Sequence, residues 1–199
     1  MSVSTDTRLF RPEAIAAAKA FIAELDGTYD QLVVAGSLRR RLARIGDIEI
    51  VAVPKTEQRM GGLLGDVPAE HDLLDERMDS LLDAGTCQQR LDVNGHPRWG
   101  PIVKSLTYRD AKVDLFCPSA ERFGWILMLR TGPAAFSRQL VVAKDRRTKD
   151  GRPGLRPAYI ATQDGWLCWR TSGQRIPTPT EQHVCELFGM PYLEPQERT

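Results

Sequence analysis

The chain has 199 residues, 42% of them hydrophobic, and a formal net charge of +1. That length and apolar content suffice for the core of one domain or of two small subdomains, which excludes disorder as the default state. No run of about 18 apolar residues exists and the opening MSVSTDTRLF has no apolar core, which excludes a membrane span and a secretion signal and predicts an intracellular protein of cytoplasm or nucleoid.

In chain order, Pro12 suits the first turn of a helix, and Ala14, Ile15, Ala18, Phe21, Ile22 and Leu25 recur at helical spacing until Asp26 and Gly27 close it. Residues 31–35 read as a short apolar strand, 36–43 as a turn containing one helical turn, and 47–53 as a second strand stopped by Pro54. Residues 55–69, with Gly61, Gly62, Gly65 and Pro68, read as a mobile loop, and 70–83 as a helix through Leu73, Leu74, Met78, Leu81 and Leu82. Strands are expected over 88–93, 101–108 and 111–117, the last two joined by a tight turn at Arg109 and Asp110. Helices over 120–129 and 134–143, a basic loop, short strands at 158–160 and 166–170 and a helix over 181–188 complete the chain, so a smaller C-terminal unit is expected from about residue 119. Trp99, Trp125, Trp166 and Trp169 read mostly as core residues. The cysteines Cys87, Cys117, Cys168 and Cys185 and the histidines His71, His96 and His183 are scattered without a CxxC pair, which predicts reduced thiols and no structural zinc.

The chemistry concentrates in VAGSLRRRLARIGDIEIVAV, residues 34–53. Side chains alternate along a strand, so Asp47 and Glu49 share one face while Ile48 and Ile50 anchor the other. Two carboxylates at ~6 Å with an effective dielectric of ~20 repel by roughly 2 to 3 kcal/mol, and a divalent cation turns that repulsion into attraction. In KVDLF the same rule puts Lys112, Asp114 and Phe116 on one face and Val113 and Leu115 on the other, which makes Asp114 the natural third acid. The turn at Gly36 and Ser37 would bring backbone N–H groups and a hydroxyl against phosphates, and Arg40 adds fork-shaped hydrogen bonds. Net charge is not that of a general nucleic-acid binder, yet basic residues gather at Arg39, Arg40, Arg41 and Arg44 and at Lys144, Arg146, Arg147, Lys149, Arg152 and Arg156, two zones suited to phosphate partners. The pattern as a whole predicts metal-dependent nucleotidyl transfer.

These residues carry a family resemblance. AGSLRRR, GDIEIVAV and KVDLF resemble the palm of the DNA polymerase β nucleotidyltransferase superfamily. WILMLRTGPAAFSRQL is similar to the nucleotide-selection segment of family X DNA polymerases, and TPTEQHVCELFGMPYLEPQERT resembles their C-terminal signature, so the likeness runs from about residue 30 to 198. It implies an α+β fold: a nucleotidyltransferase palm over 1–118, built from a mixed or antiparallel sheet flanked by helices, then a small α/β nucleotide-selection subdomain over 119–199. The implied activity is that of a minimal family X DNA polymerase, without the lyase domain, adding nucleotides to a primer 3′-hydroxyl on gapped or nicked DNA in repair. By the resemblance Asp47, Glu49 and Asp114 bind two Mg2+ ions, and Asp114 assists deprotonation of the 3′-hydroxyl. Glu49 stands where most family X enzymes carry Asp, and its longer arm favours Mn2+ as the alternative metal. Ser37, Arg40 and Gly46 would hold the triphosphate, with Lys112 beside the third acid. Leu129, Arg130, Thr131 and Gly132 would line the sugar side, and Ser137 and Arg138 would approach base or template. The bend after Thr131 and Gly132 implies a cis Gly132–Pro133 bond. Leu129 and Arg130 replace the family's aromatic pair, which predicts relaxed sugar discrimination. The partners implied are a deoxynucleoside triphosphate and primer-template or gapped DNA, with no membrane and no obligate protein partner. A competing reading is a nucleotidyltransferase acting on RNA, a protein or a small molecule, which would share the palm but not the TGP and C-terminal segments. A catalytically silent DNA-binding module is disfavoured because all three acids are present.

Overall fold

A computed structural model describes residues 8–61 and 67–198. Helix α1 (Arg11–Glu24) carries Pro12 in its first turn and buries Ala14, Ala18 and Phe21, which recur along one face. β1 (Leu9–Phe10) pairs antiparallel with β3 (Arg44–Ile45), and between them lie β2 (Tyr29–Val34) and the one-turn helix α2 (Gly36–Arg39). β4 (Ile48–Pro54), β7 (Gln88–Gln89), β8 (Val103–Tyr108) and β9 (Ala111–Phe116) complete a five-stranded sheet of order β2-β4-β9-β8-β7. β4 and β9 are parallel and the other neighbours antiparallel, so the sheet is mixed.

Strand alternation gives this sheet two different faces. Ile48, Ile50, Ala52, Val113 and Leu115 pack under α1 and α3 (Leu73–Asp83), whose Leu74, Met78 and Leu81 are buried among them. On the opposite face Val51, Val53 and Phe116 meet Phe123 and Leu127 of α4 (Phe123–Thr131), the helix that follows a 3-10 turn at Ala120–Arg122. The far side of α4 presents Trp125 and Met128 to a third cluster. There they meet α5 (Ala134–Val141), the hairpin of β10 (Ile160–Gln163) and β11 (Trp166–Trp169), and α6 (Glu181–Phe188). The fold is α+β, a mixed sheet flanked by helices, and α4 belongs to two cores at once.

Several local expectations are corrected. The supposed loop over 55–69 carries β5 (Thr56–Gly61) and β6 (Val67–Asp72), paired antiparallel in a sheet of their own; residues 62–66 of that expectation lie outside the described residues. TEQRM has a single large apolar side chain, the exposed Met60, so period-2 patterning leaves no trace there. α3 starts at Leu73 because the Asp72 side chain accepts from the Asp75 amide at 2.8 Å and caps it. The strand expected over 88–93 stops at Gln89, since Asp92 Oδ1 accepts from the amides of Asn94 and His96 at 2.8 and 2.9 Å and turns the chain. The β8–β9 turn has Arg109 and Asp110 both left-handed, at φ 46° and 64°, the geometry that matches strand twist in a two-residue hairpin. The Gly132–Pro133 bond, expected to be cis, is trans. Gly132 (φ −67°, ψ 154°) and Pro133 (φ −62°, ψ 159°) are both extended, and that pair leads from α4 to α5.

Candidate active site

β4 and β9 run side by side in register, pairing Glu49 with Asp114, Ile50 with Leu115 and Val51 with Phe116. Because Ile48 and Ile50 face the α1–α3 core, Glu49 and Asp114 point from adjacent strands to the α4 side, and Asp47 stands one residue before β4 begins. Gly36 seals this corner. Its φ of 63° is left-handed, and a Cβ there would fall on the Glu49 carboxylate oxygen Oε2, so only glycine lets the turn pass the acid this closely. The Ala35 amide donates to the Glu49 carbonyl at 2.7 Å and keeps the turn against β4.

The carboxylates act on one another. Burial, then the Asp47 carboxylate, push the Glu49 carboxyl up to about 7; Asp114 adds to this, while Arg130 and Arg40 oppose it. Asp47 is raised as well, by burial first and then by Asp114, against the pull of Arg90 and Lys112. Asp114 is 6% exposed, and its Oδ1 has no hydrogen-bond donor among the described residues. Its ion-pair partner is Arg90, with Nη2 at 3.4 Å. Among the described residues no three His, Cys, Asp or Glu side chains close into a metal cage. What the corner offers is an all-oxygen donor set, with Arg40, Arg90, Arg130 and Lys112 acting on it by charge, and carboxylate oxygens fit a hard divalent cation whose remaining ligands are water or phosphate oxygens. Asp47, Glu49 and Asp114 are the residues that could hold it.

A cleft of about 330 Å3 opens beside the acids, lined by Ser37, Arg40, Asp47 and Glu49 from the sheet side and by Leu129, Arg130, Gly132 and Ser137 from the α4–α5 side, with Pro133 and Ala134. Arg40 Nη1 donates to the Thr131 carbonyl at 2.5 Å, and burial lowers the pKa of its guanidinium against the pull of Glu49. Arg130 lies over the Phe116 ring, 4.1 Å from its centroid, and burial lowers it too, with Glu49 the leading opposing charge. Ser137 Oγ donates to the Leu129 carbonyl at 2.7 Å, which ties the α4–α5 bend together.

Six residues named from sequence do not line the cleft: Gly36 and Asp114 adjoin it at Glu49, and Thr131, Gly46, Lys112 and Arg138 lie elsewhere. Thr131 is wholly buried and is held by Arg39 Nη1, which donates to its Oγ1 at 2.8 Å. Gly46 and Lys112 are exposed and outside the cleft lining, although Lys112 still acts on Asp47 by charge. Arg138 points to Asp150, Nη2 to Oδ2 at 3.3 Å. Conversely, sequence reading passed over Arg90 and Arg39. Arg90 reaches Asp114 because its amide donates to the carbonyl of Ser105, the residue paired with Asp114 across β8 and β9. Nothing local marks it. Arg39 was visible in the basic run, but its direction, away from the cleft and onto Glu181 at 2.8 Å, follows from helix geometry.

No protein-family model matches the chain. It is similar to DNA polymerase lambda of Rattus norvegicus, 28% identical over 170 residues, an alignment that covers 83% of this chain and 28% of that protein. The chain therefore spans well under a third of the length of this relative.

Proposed function

We propose that the chain is a metal-dependent nucleotidyltransferase and, more finely, a compact DNA polymerase of the family X type that extends a primer 3′-hydroxyl on gapped or nicked DNA. The observation that carries the reading is the parallel pairing of Glu49 with Asp114 beside the glycine turn at Gly36, next to a cleft whose lining includes Glu49, Ser37, Arg40 and Asp47. The similarity to a DNA polymerase over most of the chain supports it. The proposed organisation is a palm over 1–118 that supplies the acids and a C-terminal unit over 119–199 that supplies the nucleotide contacts.

In this reading Asp47, Glu49 and Asp114 hold two Mg2+ ions, or Mn2+. Ions bound there neutralise phosphate charge and favour the ionised 3′-oxygen. Ser37 and Arg40 bind the triphosphate, Arg40 by charge-assisted hydrogen bonds. Asp114, whose Oδ1 faces Arg90 without accepting a hydrogen bond among the described residues, accepts the proton of the attacking hydroxyl as the hydroxyl oxygen bonds to the α-phosphorus and pyrophosphate leaves. Leu129, Arg130 and Gly132 face the sugar, and Ser137 holds their bend. With an arginine and an aliphatic side chain there in place of two aromatic rings, discrimination between ribose and deoxyribose is relaxed.

The test is extension of a primer on gapped DNA with Mg2+ or Mn2+. Wild-type chain adds nucleotides, and Asp47→Ala reduces addition at least ~100-fold. Turnover undiminished in Asp47→Ala would end the metal assignment. Absence of extension on DNA, with transfer to RNA, a protein or a small molecule instead, would favour the other nucleotidyltransferase class. Comparison of ribo- and deoxyribonucleotides checks the sugar side, and a strong deoxy preference would contradict it.

A further inference from the structure

A second cavity, of about 370 Å3, adjoins the cleft and shares Arg40 and Pro133 with it. Arg40 just past α2, Arg152 in the loop after α5 and Arg198 in the C-terminal tail bring three guanidinium groups to its wall, and its described lining contains no carboxylate. Arg40 is drawn by Glu49 on the cleft side, and the acids near the other two arginines do not neutralise them. Glu181 is shared between Arg198 and Arg39, and Asp150 between Arg152 and Arg138, so each carboxylate answers two cations. Arg198 is 3% exposed; Nε donates to the Leu193 carbonyl and Nη1 to Glu181, while Nη2 has no acceptor among the described residues.

The start of α5 adds a fourth contribution. Ala135 lies in its first turn and lines the cavity, the capping residue is Pro133, and neither a capping side chain nor an acidic residue occupies that end of the helix. First-turn N–H groups carry partial positive charge and lack intrahelical partners. Surplus arginine charge, a buried guanidinium with an unused donor and an uncapped helix start on one concave wall all ask for the same complement, a small multivalent anion.

We propose that this cavity is a second phosphate site, separate from the triphosphate surface of the cleft, and that it takes a terminal phosphate or diphosphate group. The group can come from free pyrophosphate or from the phosphorylated end of a nucleic-acid strand. The site shares Arg40 and Pro133 with the cleft, but Ala135, Arg152 and Arg198 are its own, and it does not depend on the polymerase reading.

The test is calorimetric titration of the full chain with inorganic pyrophosphate, without metal or DNA, alongside Arg152→Ala and Ala135→Asp. Arg152 is exposed, and a carboxylate in the first turn suits the helix dipole, so both variants are expected to fold, which melting curves check. Each should weaken pyrophosphate about tenfold or more. In parallel, fluorescence anisotropy compares gapped DNA bearing a 5′-phosphate with the same DNA bearing a 5′-hydroxyl. A phosphate-dependent gain that Arg152→Ala removes assigns the site to nucleic-acid ends. No gain, with pyrophosphate binding that both variants weaken, assigns it to free diphosphate. If neither ligand responds to Arg152→Ala and Ala135→Asp, or if pyrophosphate binding survives both and is lost in Ser37→Ala, the anion sits in the cleft and the second site is overturned. A chain inactive on DNA still gives a result in the first titration, so the two readings fail separately.

Discussion

At the residue scale, Gly36 and Glu49 constrain each other. Gly36→Ala places an L-residue at φ 63°, which costs ~1–2 kcal/mol, and drives its Cβ onto the Glu49 carboxylate. Urea denaturation should show a loss of at least ~1 kcal/mol, and titration with Mn2+ a weakened affinity, because the displaced acid is one of the three proposed oxygen donors. Glu49 also predicts a pH dependence in the chelated protein. Its carboxyl is held at about 7 in the folded chain against a reference of 4.5, so the native state binds the extra proton between those values. Stability therefore falls as pH rises from 4.5 towards 7 and is flat above it. Glu49→Gln removes this slope and should be more stable than wild type at pH ~8 with chelator by roughly 1 to 3 kcal/mol, a discount on the full shift because the cleft is open to water. A variant less stable than wild type there would contradict mutual repulsion among Asp47, Glu49 and Asp114.

At the element scale, α4 is the piece on which the site depends, since Phe123 and Leu127 pack on the sheet while Trp125 and Met128 pack on the C-terminal cluster. Gly124 lets α6 approach. A Cβ at that position would collide with the Thr180 backbone at the start of α6, and the Gly124 amide donates to the Thr178 carbonyl at 2.9 Å. Backbone cannot step aside as a flexible side chain can, so Gly124→Ala should cost ~2 kcal/mol or more despite the higher helix propensity of alanine. Thermal unfolding checks this, and an unchanged or raised melting temperature would mean that the two elements are not in register as described. The same scale separates what patterning reveals from what it hides. α1 and α6 each have an apolar side, β4 and β9 each have one wholly apolar face, and all four were legible as helices or strands. β5 and β6 have no apolar alternation and are paired by backbone hydrogen bonds, which leave no mark on residue choice.

At the scale of the whole molecule, Arg39, Glu181 and Arg198 join α2 of the sheet region to α6 and the tail. Glu181 is buried, which would raise its carboxyl, but hydrogen bonds from Arg198 and Arg39 outweigh this and hold it below the usual carboxylate range. A depressed carboxylate contributes stability above the unfolded value near 4.5 and loses it as pH falls through the lower folded value. Wild-type chain should accordingly lose stability in acid below ~4.5, and Glu181→Gln should lack that part of the dependence. Because the variant leaves Arg198 buried with an uncompensated charge, it should also lose ~3 kcal/mol or more at neutral pH. Urea midpoints across pH measure both effects, and a variant as stable as wild type at pH ~7 would show the clasp to be dispensable.

Ile48, Ile50 and Ala52 in IEIVAV and Val113 and Leu115 in KVDLF make one face wholly apolar, which was enough to place Glu49 and Asp114 on strands and on the other face, although Val51, Val53 and Phe116 bury that second face against α4. Which strands become neighbours is not written in either segment. Parallel pairing of β4 with β9 across residues 55–110, the approach of Arg90 to Asp114, the turning of Arg39 towards Glu181 and the cavity shared by Arg40, Arg152 and Arg198 came from the packed chain alone. Periodicity reports how a residue sits relative to its own element. Contacts between elements depend on helix packing, loop closure and the balance of buried charge, which are properties of the assembled fold.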